Sequence, residues 1–296
     1  MRKFIFLLWV MPLLFASCSD DKEVANEETV QVSFSTQLPQ RIGTRASSSL
    51  NVNKVVCAVF EKGEEIGNLR QVVDITESGT VEFAPRLIKG HTYDIVFWAM
   101  KDGCYDVTDM KAIKRASMVS ATEPDFEAFT QSVEVEVTGA KSETVKLNRP
   151  YAQLNLGVTA DDWNAVANTF NMVPKKMVIK MTGKDTFNAL TGKATGEDAE
   201  ITRTLEVSGS DLTVGENTYK SIASCYVYPE EGQQNVDITY SIYTENNEPI
   251  RENVYITNVP LQENYLSNIV GGLLTGTITY TITIEKGYGT DNNTTI

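Results

Sequence analysis

Tyr93-Asp94-Ile95-Val96-Phe97-Trp98-Ala99 is the most apolar of the chain's short strand-like runs, and it decides the fold class. Its β-branched and aromatic content reads as a strand, and its shortage of polar residues places it at the centre of a sheet. Working toward the N-terminus, Lys54–Phe60 and Gln71–Ile75 are further strand candidates. Val30, Val32 and Phe34 alternate with Gln31, Ser33 and Ser35, as in a half-buried strand. A break at 39–49, with Gly43 and a serine run, follows that first strand. Toward the C-terminus come Ser132–Val137 and Thr144–Leu147, then Ala152–Val158 after a proline in Asn148-Arg149-Pro150. Beyond these lie Lys176–Met181, Ile201–Val207, Ile222–Tyr228, Val236–Tyr243, Asn253–Thr257 and Thr277–Ile284. Short helices are expected at Asp109–Arg115, at Glu123–Thr130 behind Thr122, and from Asp161, where Trp163, Val166, Ala167 and Phe170 make one apolar face. Many short strands separated by turns predict a mostly β chain of sandwiches with a few short helices. The proline suggests a division into residues 30–149 and 150–296.

The first eighteen residues read differently. Arg2 and Lys3 precede an apolar run from Phe4 to Phe15, and small Ala16 and Ser17 lead into Cys18. That is the secretory signal layout, and the run is short for a spanning helix. Leu14-Phe15-Ala16-Ser17-Cys18 resembles the bacterial lipobox, with Phe15 where leucine is usual. The resemblance implies removal of 1–17 and diacylation of Cys18, hence a lipid anchor. Ser19-Asp20-Asp21-Lys22-Glu23 resembles the acidic signal that sends lipoproteins of Bacteroidetes to the outer-membrane surface. Residues 18–29 are polar and acidic, the composition of a disordered tether.

Charge and cysteine count restrict the rest. The chain carries 26 basic and 39 acidic residues, a formal net charge of −13, which removal of Arg2 and Lys3 makes more negative. Nucleic acid and anionic membrane are poor partners for such a surface. Cys57, Cys104 and Cys225 cannot all pair and lack metal-type spacing, although one pair remains open. No GxSxG elbow, HExxH or P-loop is present, and the lone His91 sits at a turn. Gly271-Gly272 lacks a following lysine and reads as a bend before the last strand. Asp102, Asp106 and Asp109 around Gly103 do not match an EF-hand loop. Asp161-Asp162 reads as a helix cap. The chain is expected to be no enzyme and to need no cofactor or metal.

Four stretches, taken in order, resemble the fimbrillin-like proteins of Bacteroidales, lipoprotein precursors of surface pilus subunits. They are Asn148 to Leu156, Asp161-Asp162-Trp163, Ala223 to Pro229, and Val259 to Gly271 with Leu273-Leu274-Thr275 behind it. The resemblance implies two tandem transthyretin-like β-sandwich domains, no catalysis, and cutting by a trypsin-like protease after an arginine in the break behind the first strand. Arg45–Ala46 fits that site, with Arg41 as a second candidate. The cut would remove residues 30–36 from an edge groove, which a neighbouring subunit would refill by β-strand addition. A donor is available in Ile278, Tyr280, Ile282 and Ile284, which share one face, unless that strand is simply the last of its sandwich. The expected role is a structural or adhesive pilus subunit at the cell surface, with other subunits or its own copies as partners. The alternative is a non-polymerising surface lipoprotein that binds glycan or a host ligand.

Overall fold

In the computed structural model, which describes residues 27–41, 50–75, 80–117, 121–286 and 288–289, the strand Thr92–Met100 lies mid-sheet. Lys54–Glu61 pairs with it on one side and Ala128–Glu136 on the other, both antiparallel. Its two faces enter different cores. Tyr93, Ile95, Phe97 and Ala99 pack against Val32, Phe34, Phe83 and Leu87 of a facing sheet. Val96, Trp98 and Met100 join Val56, Ala58 and Phe60 in a second cluster with Tyr151, Phe187, Tyr226 and Tyr228. A strand covered on both faces has no solvent side to make polar, which accounts for the unbroken apolar run.

The facing sheet is built around the first strand, Thr29–Gln37. Lys141–Lys146 runs parallel to it on one side, with Thr80–Phe83 and Arg86–Ile88 antiparallel on the other. The second half repeats this plan. Its opening strand, Ala152–Val158, lies between the antiparallel Asn217–Val227 and the parallel Tyr265–Gly272. Opposite stands a sheet of Ala199–Glu206, Lys176–Gly183, Gln233–Tyr243 and Pro249–Gln262, in that order. Leu154, Leu156, Ile179, Ile222, Tyr240 and Ile269 fill the space between.

The halves meet through the cluster around Trp98, whose ring lies 5.3 Å from Tyr105 and 5.7 Å from Phe187. A small sheet crosses between them, pairing Ile113–Arg115 of the first half with Thr186–Asn188 of the second. Arg149, the residue before the boundary proline, is buried at this junction. Its Nη2 donates to Glu127 Oε1 at 2.6 Å, and its guanidinium lies 5.5 Å from the Tyr151 and Tyr226 ring centres.

Two helix expectations fail. Residues 109–112 form a turn in which Asp109 Oδ1 accepts the Lys111 N–H at 2.8 Å, and Ile113 then starts a strand. At Glu123–Phe126 a single 3-10 turn forms, and Ala128 begins the long strand beside Thr92–Met100. In both places strand pairing overrode a helical local pattern. The third helix, Ala160–Phe170, forms behind Thr159, which supplies the cap. The other chemical candidates have local partners. Asp102 pairs with Lys54 at 2.8 Å, Asp106 holds Thr108, and His91 Nδ1 sits 2.7 Å from Glu61 Oε1. Cys57, Cys104 and Cys225 are free and buried, so the open pairing does not occur. Desolvation pushes the Cys57 and Cys225 thiols up to about 12, leaving them unreactive at neutral pH.

Candidate functional site

The first strand fills a slot rather than covering an edge. Val32, Phe34 and Thr36 alternate inward and are almost fully buried, while Gln31 and Gln37 face out. Phe34 packs on Phe97 with ring centres 5.8 Å apart, and Thr36 Oγ1 donates to Val81 O at 3.1 Å. Both main-chain edges are engaged, so the expected edge groove is in fact an interior gap. Neighbouring strands stand about 4.8 Å apart, so its flanks would be left about 9.6 Å from each other if this strand were withdrawn. That is the width for one replacement strand. Polar contacts pin the strand's start, where Arg86 Nη2 donates to Thr29 O at 3.0 Å and Lys89 pairs with Glu28 at 3.0 Å.

The candidate donor occupies the opposite kind of position. Thr279–Lys286 is an edge strand of the second half, held by one antiparallel ladder to Tyr265–Gly272. In the first half the plan ends with the parallel strand Lys141–Lys146; in the second its counterpart is Tyr265–Gly272. Thr279–Lys286 therefore lies beyond the strand that completes the repeated plan. Ile278 stands just before the strand, and Ile278 and Ile282 pack half-buried on the core. Ile284 is also half-buried, and Tyr280 is 39% exposed. The strand approaches closely because Gly271 faces it: a Cβ there would lie 2.1 Å from Thr279 O.

The loop between these two strands is clamped. The Asp162 carboxylate accepts the N–H groups of Leu273 and Leu274 at 2.7 Å and that of Thr275 at 2.8 Å, as well as the Thr275 hydroxyl. From the other side Arg251 donates to the Leu274 and Gly276 carbonyls, and Tyr240 Oη donates to Leu273 O at 2.7 Å. Asp162 is thus a tie between helix and loop, while Thr159 accepts the Asp162 N–H as the cap. Sequence patterns assigned Asp162 to capping and missed Arg251, because each acts on residues distant in the chain. The last strand's far end also touches the first strand's exit: Gln40 and Arg41 form a short antiparallel ladder with Gly289 and Tyr288. Cys18, Arg45 and Ala46 lie outside the described residues.

A search of curated protein sequences finds no match. Among solved structures, the chain is similar to a candidate adhesin from Bacteroides ovatus, at 12% identity and a TM-score of 0.50, covering 90% of this chain and 96% of that one. It is also similar to candidate polysaccharide-binding proteins from Bacteroides thetaiotaomicron, at 11% identity and a TM-score of 0.51, covering 89% and 99%. At these identities the likeness is one of fold. The model of a family described as being of unknown function, DUF6562, matches residues 22–296, and the chain belongs to that family.

Proposed function

We propose that this protein is a lipid-anchored cell-surface subunit that assembles by strand exchange into an adhesive fimbrium. The observation carrying this reading is an interior slot filled by the first strand in one half, matched by a surplus edge strand in the other. Acylated Cys18 would hold the precursor at the outer membrane, and a cut at Arg45–Ala46 would separate the first strand from the chain it now belongs to. While the chain is continuous, that strand is retained by its high effective concentration. Once cut, it competes with any strand of suitable pattern. Val30, Val32, Phe34 and Thr36 face inward at every second residue, and Ile278, Tyr280, Ile282 and Ile284 offer the same spacing. Each large apolar side chain buried in the slot contributes roughly 1.5–3 kcal/mol. The donor gives up one ladder in its own sandwich and gains two in its neighbour. The fold shared with a candidate adhesin, and the resemblance to fimbrillin-like proteins, agree with this role.

The test is light scattering on the protein before and after brief trypsin treatment. Intact protein is expected to be monomeric, and protein starting at Ala46 to form oligomers slowly. Arg45→Ala prevents both the cut and the oligomers. Ile282→Asp leaves the cut unchanged but blocks oligomers, because a buried slot rejects the carboxylate at a cost of several kcal/mol. Cleaved protein that stays monomeric at high concentration overturns the reading.

A further inference from the structure

The outer surface of the second half carries a polar recess of about 560 Å³ at one end of the sheet formed by Lys176–Gly183, Gln233–Tyr243 and Pro249–Gln262. Its walls include Asp198, Gln234, Asn235, Asp237 and Asn258. The side chains of Asp198, Asn235 and Asn258 have no hydrogen-bond partner among the described residues, so donors and acceptors of both kinds remain available there. The one cation in the wall, Lys184, is paired with Glu230 at 3.3 Å, which leaves the recess with a negative balance from Asp198 and Asp237.

Beside the recess stands Tyr255, 59% exposed although it lies within a long strand. Its hydroxyl donates to Asp237 Oδ2 at 2.5 Å, and Asp237 Oδ1 accepts the Asn258 N–H at 3.0 Å. These contacts form around a bulge. Thr257 and Asn258 together stand opposite the single residue Asp237, and Asn258 takes a left-handed conformation at φ 57°. A bulge re-aims side chains at a strand edge and is found preferentially beside functional sites. Here it brings an amide, a carboxylate and a fixed aromatic ring to the same rim.

We infer that this recess is a subsite for a neutral glycan, with Tyr255 as the stacking platform and Asn235, Asn258 and Asp198 as hydroxyl partners. Sugar rings offer an apolar C–H face and a perimeter of hydroxyls that donate and accept. An exposed ring beside unengaged amides and a carboxylate matches both parts. The uncompensated carboxylates, on a chain of net charge −13, disfavour sulfated or sialylated ligands. The site does not depend on strand exchange, since Tyr255 and Asp237 lie on strands distinct from the slot and from the donor.

The test uses an array of mannose-, galactose- and N-acetylglucosamine-terminated neutral glycans, printed beside sulfated and sialylated counterparts and probed with the full chain. Binding is expected on neutral spots, weakened about tenfold by Tyr255→Ala and largely kept by Tyr255→Phe, which retains the ring. Asn235→Ala, at an exposed position, weakens it without changing the melting temperature. Absence of binding to every neutral glycan, preference for the charged forms, or a Tyr255→Ala protein that binds like its parent would each overturn the proposal. A chain that binds yet never polymerises removes the filament reading and leaves this one standing.

Discussion

The Asp162 carboxylate and the backbone N–H of Thr275 are 2.8 Å apart although 113 residues separate them, and the same carboxylate holds two further N–H groups of that loop. Leu273 and Leu274 are buried, so their N–H groups have no water to fall back on. Asp162→Ala is expected to lower stability by about 3 kcal/mol, because buried donors lose a charged acceptor. The urea midpoint measures the loss. Amide exchange over 279–286 should rise more than exchange in the first half, since the loop that leads into this strand is released. An unchanged exchange pattern would show that the loop holds without the tie.

Arg149 makes a buried pair with Glu127 of its own half at 2.6 Å and reaches the second half through Gln153 Oε1 at 2.8 Å, while Glu127 Oε2 also accepts the Asn51 N–H at 2.8 Å. Arg149→Ala strands a buried carboxylate and is expected to cost about 3–5 kcal/mol. Changing both partners, Arg149→Met with Glu127→Gln, should recover much of that loss by leaving no unpaired charge. Denaturant titrations of the two single variants and the double variant give the coupling; simple additivity would contradict it.

Asp125 gives the fold an acid limit. Lys101 donates to its carboxylate at 2.5 Å, the Thr122 N–H at 2.8 Å and Asn51 Nδ2 at 2.8 Å. The lysine and then the backbone bond hold its pKa well below the ordinary 3.8. A carboxylate depressed in the folded state stabilises above its unfolded pKa, and that contribution is lost as pH falls through the folded value. Stability measured by urea titration should therefore drop from about pH 4 downward. Asp125→Asn should be less stable at neutral pH and show a shallower acid slope; an identical slope would assign the acid sensitivity elsewhere.

Cys18→Ala tests the anchor. Cells expressing it should contain unprocessed or released protein without incorporated fatty acid, whereas the parent partitions with membrane and takes up the label. A variant that still carries labelled fatty acid would show that another residue is acylated.

The sheet content was legible because its signals are local. Alternation at Val30, Val32 and Phe34 marked a strand with one buried face, and the apolar run around Phe97 marked a central strand. The helix Ala160–Phe170 was legible for the same reason, as its apolar face lies within one short segment, although the cap proved to be Thr159 rather than Asp161-Asp162. Residues 123–130 misled, since Thr122, Pro124 and the acidic first turn are helix-start signals that a 3-10 turn also satisfies. What followed was set by pairing with Trp98 and Phe97, which no local pattern encodes.

The sequence by itself determined the mostly β class, the positions of most long strands, and an inward face for the first of them. Each follows from side-chain periodicity along a few consecutive residues. The tertiary structure alone decided that this first strand is interior with both edges paired, and that Thr279–Lys286 lies outside the repeated plan. It also decided that Asp162 and Arg251 grip one loop from opposite sides, and that Tyr255 stands against Asp237. These are relations between residues on different elements, up to 113 positions apart. Hydrogen-bond partners at such separations are chosen by which strands become neighbours, and neighbourhood is a property of the packed sheets rather than of any stretch of chain.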